Sequence, residues 1–234
     1  MTKIKAIFFD LDGTLAPLDE QKFIYLYMSL LGKKANEYGY DDKEFIHSLG
    51  KGIKAMYNND GSLTNEKLFW KIVNSSFPTI SDEMFLDFYK NDFKHVLVTV
   101  GENLLAKEIV DYCKEKFKYV ILSTNPLFPL IATKQRMEKV GLKIEDFDFV
   151  TSYENSCYCK PNPKYFMSLL EKFNLKSNEV LVIGNNDYED GECAYRAGIK
   201  CVLLKDNFIH DNRCEMIFKT IENEQLLSFL KSIN

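Results

Sequence analysis

Short apolar runs that break off abruptly into polar, often acidic, loops constrain this chain more than any other feature. Ile4 to Phe9 is rich in branched and aromatic residues and stops at Asp10-Leu-Asp-Gly-Thr. The pattern returns at Tyr119 to Leu122 before Ser-Thr-Asn-Pro, and at Val180 to Ile183 before Gly-Asn-Asn-Asp, with weaker candidates at 147–150 and 200–204. Runs of this length without alternation read as strands buried on both faces. Between them lie helical stretches at 104–117, 131–140, 163–173 with Pro163 near its start, and 189–197 closed by Gly198. Strand and helix therefore alternate beyond about residue 100, which predicts an α/β fold with a parallel sheet and helices on both faces. Such sheets bind ligands outside the carboxyl ends of their strands, so the polar loops should gather at one edge.

Residues 17–95 break the alternation, offering helix patterns one after another. Phe23, Ile24, Tyr27, Leu30 and Leu31 share one face; Leu68, Phe69, Ile72 and Val73 share another; Met84, Phe85, Phe88 and Tyr89 follow a predicted Ser81 cap. The expectation is an inserted all-helical cap at 17–96, over a core made of 1–16 and 97–234. A chain of 234 residues, 46% of them hydrophobic, can bury one good core and a small second domain. A last amphipathic helix is expected at 222–233.

The 30 basic and 34 acidic residues are spread along the chain without a basic stripe, which argues against nucleic acid. No apolar run approaches the roughly 18 residues of a membrane helix. Met-Thr-Lys-Ile-Lys leads directly into the first strand instead of a signal peptide, so a cytoplasmic protein is expected, with no obligate protein partner. The six cysteines read as reduced, and Cys157 and Cys159 as loop thiols without the second pair that zinc would need. His47, His95 and His210 adjoin no motif and read as surface or packing residues, and Lys33-Lys34 as a solvated helix end.

Two carboxylates one residue apart at the end of a buried strand repel each other unless a cation or a reaction offsets the cost. Asp10 and Asp12 therefore point to chemistry, and phosphoryl transfer suits them: one attacks phosphorus while the other handles protons. Gly13 would let the backbone turn so that amides face phosphate oxygens.

Asp10-Leu-Asp-Gly-Thr-Leu resembles the first motif of the haloacid dehalogenase superfamily, in its phosphatase branch, and three further motifs follow in that family's order. The resemblance implies a Rossmann-like core, Asp10 as nucleophile and Asp12 as acid/base. It implies Thr124 as a hydroxyl donor to the phosphoryl group, with Leu11, Asn125 and Asp190 also at the phosphate. Lys160, in Lys-Pro-Asn-Pro, would balance the charge. The fourth motif departs from the pattern: Gly184-Asn-Asn-Asp-Tyr-Glu-Asp190 places asparagine where a magnesium-binding aspartate is expected. The implied magnesium shell is Asp10, Asp12 and an oxygen of Asn185 or Asn186, with Asp187 as a substitute and weaker binding than usual. The expected activity is magnesium-dependent hydrolysis of a small phosphorylated metabolite through an aspartyl-phosphate. A phosphomutase or a non-catalytic phosphate-ligand binder are the alternatives, and a dehalogenase would have no use for Asp12.

Overall fold

The computed structural model describes residues 3–78, 80 and 82–233. Its centre is a parallel sheet of six strands in the order β3-β2-β1-β4-β5-β6. β1 (Ala6–Phe9) lies between β2 (Tyr119–Leu122) and β4 (Val180–Gly184), and β3 (Phe149–Val150), β5 (Lys200–Leu204) and β6 (Thr220–Ile221) complete it. Two-residue β6 had no counterpart among the apolar runs. Side chains alternate across β1: Ile7 and Phe9 enter one apolar cluster, Ala6 and Phe8 the other. All four are fully buried, so each large side chain contributes on the order of 1.5–3 kcal/mol.

Helices cover both faces. α5 (Ala106–Lys116), α6 (Leu130–Lys139) and α9 (Leu226–Ser232) place Cys113, Met137 and Leu230 in the Ile7 cluster. α7 (Lys164–Lys172) and α8 (Cys193–Arg196) place Phe166 and Cys193 in the Phe8 cluster, with the Phe8 and Phe166 rings stacked 6.4 Å apart. α8 is shorter than its periodicity suggested, because Asp187–Glu192 winds as a wider π-helical turn before it.

The chain runs outward from β1 to β2 and β3, then returns to the far side of β1 for β4. That reversal opens a crevice at the carboxyl ends of β1, β2 and β4. Register carries the ladder past the strands: the Asp10 amide donates to the Ile183 carbonyl at 2.9 Å and the Ser123 amide to the Phe9 carbonyl at 2.6 Å. Three loops are thereby held level.

Between β1 and α5 the chain forms a helical layer of α1 (Glu20–Glu37), α2 (Asp42–Tyr57), α3 (Asn65–Ser76) and α4 (Asp82–Asp87). Asp19, Asp41 and Thr64 cap the first three by accepting backbone amides at 3.1, 2.9 and 3.3 Å. The Ser81 cap falls outside the described residues. Lys34 is not a solvated helix end: it is buried, with its ammonium 2.9 Å from each of Glu37, Asp87 and Asp92, fastening α1 to the end of α4. Where the layer begins and ends, the two connecting segments pair: Leu18 bridges Val100, and the Gly101 amide donates to the Pro17 carbonyl at 2.8 Å. No helix among the described residues is long and apolar enough to cross a membrane.

Two glycines of α2 test how this layer packs. A Cβ on Gly52 would lie 2.6 Å from the Phe69 ring of α3, whereas one on Gly50 would meet nothing within 4 Å. Gly50→Ala should stabilise by about 0.5–1 kcal/mol through helix propensity. Gly52→Ala should cost about 1–3 kcal/mol through overpacking, with both changes read as shifts in a urea midpoint.

Candidate active site

The loop after β1 turns on Gly13, whose φ of +82° an L-residue rarely adopts, and a Cβ there would sit 2.2 Å from the Asn185 side chain. This close approach brings the loops after β1 and β4 into contact. Thr14 Oγ1 donates to Asn185 Oδ1 at 3.0 Å and lies 3.4 Å from Asp10 Oδ2. Gly184 has a similar role, since a Cβ there would fall 2.3 Å from the Asp190 carboxyl. Asp190 is thus drawn under the loop, where its Oδ2 accepts the amides of Asn185 and Asn186 at 3.1 Å each.

Lys160, 1% exposed, reaches between two of these loops. Its ammonium donates to Asp10 Oδ1 at 2.9 Å and to Asp190 Oδ1 at 2.5 Å. One cation shared by two buried carboxylates does not neutralise both. Burial pushes the Asp10 carboxyl up to about 8, against the pull of Lys160, with Asp190 and Asp12 adding repulsion. Burial also raises Asp12, while Arg136 and then Lys160 pull it back.

Of the residues singled out from the sequence, Asp10, Asp12, Thr124, Asn125, Asn185, Asn186 and Asp190 all line one cavity. Leu11 is fully buried beneath it, its carbonyl accepting the Ala16 amide at 2.8 Å in the turn that aims Asp10 and Asp12. Ser123 turns inward, donating to the Phe9 carbonyl at 3.2 Å, so that of the two hydroxyl residues in this loop Thr124 is the one at the cavity. Asn125 ties loops together: its Oδ1 accepts the Lys160 amide at 3.2 Å and its Nδ2 donates to Glu189 at 2.9 Å.

The two asparagines have separate tasks. Asn186 Oδ1 accepts the amides of Tyr188 and Glu189 at 3.0 Å each and so caps the turn that follows. Asn185 instead anchors its Nδ2 on the Asn207 carbonyl at 2.8 Å and turns Oδ1 toward Thr14. Asp187 is engaged elsewhere, by His210 Nδ1 at 2.5 Å and the Asp211 amide at 2.9 Å. Among the described residues, no three His, Cys, Asp or Glu side chains converge as a metal cluster. Asp10 and the Asn185 oxygen could nevertheless hold a hard cation. Both donors are oxygens, and a buried carboxyl that Lys160 alone does not keep ionised calls for further positive charge.

Sequence reasoning missed Arg136 and Glu189. Arg136 is fully buried on α6, its guanidinium 4.6 Å from the Phe128 ring centre and its Nε 3.4 Å from Asp12 Oδ1, too poorly aligned for a hydrogen bond. The available signal was its position on the apolar face of that helix, beside Ala132, Thr133 and Met137. Glu189 lies within the fourth motif, yet no spacing rule marks it. Burial lifts its carboxyl to about 7, and it accepts the Tyr57 hydroxyl of α2 at 3.3 Å.

Residues 7–204 match the family described as haloacid dehalogenase-like hydrolase, and the chain belongs to that family. It is 25% identical over 228 residues to the glyceraldehyde 3-phosphate phosphatase of Pyrococcus furiosus, covering 88% of this chain and 82% of that protein. Among solved structures, it resembles an HAD phosphatase from Thermococcus onnurineus, with TM-score 0.60, 17% identity, and coverage of 97% and 98% of the two chains. It equally resembles a 2-haloacid dehalogenase from Pseudomonas syringae, with TM-score 0.61, 16% identity, and coverage of 98% and 99%. The fold is thus similar to that of proteins with two chemistries, and the site must decide between them.

Lys160→Met should leave two buried carboxylates without their cation, a change that typically costs about 3–5 kcal/mol. Lys160 lowers the Asp10 pKa, so its loss raises that carboxyl further above its unfolded value. The native state then holds extra protons, and its stability falls as pH rises. In chelator, urea unfolding should therefore show a larger deficit for this variant at pH 8 than at pH 5.

Proposed function

We propose that this haloacid dehalogenase-like hydrolase is a magnesium-dependent phosphatase that cleaves a small phosphate monoester by way of a phosphoryl group carried on Asp10. The observation that supports this reading above others is the meeting of Asp10, Asp12, Thr124 and Asn185 at one cavity, with buried Lys160 bonded to Asp10. The archaeal relative's name, a phosphatase for a three-carbon ester, points the same way.

An Asp10 oxygen bonds to phosphorus as the ester P–O bond breaks, and Asp12 passes its proton to the departing oxygen. Burial favours the protonated Asp12 that this step needs, and Arg136 favours the carboxylate that the next step needs. In that next step Asp12 takes a proton from water while the water oxygen bonds phosphorus and the Asp10–phosphorus bond breaks. Phosphate leaves and both side chains return to their starting forms. Thr124 and the Asn125 amide would donate to phosphoryl oxygens, and Lys160 offsets the charge on Asp10.

The Asp10 side chain, the Asp12 backbone and Asn185 would hold the magnesium. When bound, that ion supplies positive charge that lets a carboxylate approach a phosphate dianion. Asn185 is chosen over Asn186 because two backbone amides of the following turn hold the Asn186 oxygen, whereas the Asn185 oxygen accepts a single Thr14 hydroxyl that can rotate away.

The helical layer is proposed as a cap over this site, with 17–96 as its extent and 1–16 and 97–234 as the core. Paired segments at Leu18 and Val100 would serve as the hinge for opening and closing. Six unpaired cysteines suit a reducing compartment such as the cytoplasm. Asp12 separates the reading from dehalogenation, in which no leaving oxygen needs a proton.

Asp10→Asn should lower magnesium-dependent phosphate release from 4-nitrophenyl phosphate by at least about 1,000-fold. Halide release from 2-chloropropionate should be undetectable with the parent protein; turnover of the halide, or full activity of the variant, sinks the proposal. Asn185→Asp adds a carboxylate to the shell and should lower the magnesium concentration for half-maximal activity roughly tenfold. Calorimetric titration with magnesium reads the same change without turnover.

A further inference from the structure

The cavity that reaches Asp10 extends well beyond the room a phosphate needs. It measures about 410 Å³, within the range of roughly 300–1,000 Å³ typical of small-molecule sites. Its walls away from the carboxylates are apolar and largely aromatic: Phe23, Tyr27 and Trp70 come from the helical layer, and Leu127, Phe128 and Tyr153 from the core.

The charge of the lining is one-sided. Besides Asp10, Asp12 and Asp190, the charged side chains on it are Glu20 and Glu189, and no Lys, Arg or His is among the described lining residues. Two cations stand close behind it but are already engaged. Lys160 is held by Asp10 and Asp190, and Arg136 packs against the rings of Phe23 and Phe128 with Asp12 at its end. A carboxylate or second phosphate on the substrate would find no partner there and would face like charge, whereas a hydrocarbon body would fill aromatic walls.

From this juxtaposition, and resting on the phosphatase reading above, we infer that the substrate is the monophosphate of an uncharged apolar alcohol or phenol. The aromatic half of the cavity is the subsite for its hydrocarbon part. Trp70, the single tryptophan of the chain, stands in that half and reports its occupancy.

Two measurements test the inference. The first is kcat/KM with magnesium for 1-naphthyl phosphate against 2-phosphoglycolate and pyrophosphate, with the naphthyl ester expected to lead by at least about tenfold. The second needs no turnover. 4-Nitrobenzylphosphonate, which has no ester bond to cleave, should quench Trp70 saturably, and hexylphosphonate should displace it at concentrations at least about tenfold lower than phosphonoacetate. Ile24 lines the cavity yet is 47% exposed, so Ile24→Arg adds a cation at little risk to folding and should narrow both preferences.

Hydrolysis that favours phosphoglycolate or pyrophosphate overturns the inference and leaves the phosphatase reading standing. Saturable quenching with the expected displacement order, but no hydrolysis of any ester, supports the apolar subsite and overturns the phosphatase reading instead. Absence of saturable quenching, or displacement by phosphonoacetate as easily as by hexylphosphonate, overturns the inference.

Discussion

The site depends on one buried ammonium. Lys160 joins the segment before α7 to the loops that follow β1 and β4, because Asp10 and Asp190 each present an oxygen to it at hydrogen-bond distance. Removing one ammonium and two carboxyl groups from water is costly, and burial lifts the Asp10 carboxyl despite the pull of that lysine. That cost is offset by the amides of Asn185 and Asn186, which Asp190 accepts, and by the large apolar burial of the sheet beneath. Gly13 and Gly184 belong to the same arrangement, since a side chain at Gly13 would meet Asn185 and one at Gly184 would meet Asp190, parting loops that Lys160 draws together.

The strand ends were legible because apolar runs covered on both faces cannot alternate, and their abrupt loss of apolar character marks where the backbone leaves the sheet. Asp10 and the polar loop at 123–125 could be located for that reason, whereas the choice of Thr124 and of Lys160 came from the resemblance of their motifs to the family's. The separate tasks of Asn185 and Asn186 were beyond the sequence, since they turn on which side-chain oxygen a local cap engages, and both are the same residue type at nearly the same spacing. Arg136 and Lys34 escaped because long cations are usually solvated. Here tertiary packing buries each against carboxylates from elements distant in the chain. Asp187 was visible as an acid, but the groups that hold it, His210 and Asp211, come from the irregular stretch after β5.

On the proposed reading, reaction and selectivity would draw on different parts of the molecule. The sheet edge provides acids, hydroxyl and cation at fixed register. The helical layer contributes apolar walls and is tied to the core by polar contacts that include Tyr57 to Glu189, Asn65 Nδ2 to the Pro126 carbonyl at 3.1 Å, the Asn65 and Glu66 amides to the carbonyls of Ser156 and Tyr153 at 2.8 and 2.9 Å, and Gln135 Nε2 to the Tyr89 carbonyl at 2.8 Å. A similar fold in a haloacid dehalogenase and in a phosphatase fits this division.

The position of β1 in the sheet also has a bearing on synthesis. β1 leaves the ribosome well before the two strands that flank it, β2 following more than a hundred residues on and β4 later still. Until both arrive, Phe8 and Phe9 have no lasting shelter and the acidic pair beside them has no counter-ion. Native contacts of such long range form slowly, and the interval exposes a sticky segment to neighbouring chains. In a nascent polypeptide of this design the acidic pair would gain its counter-ion only late in assembly.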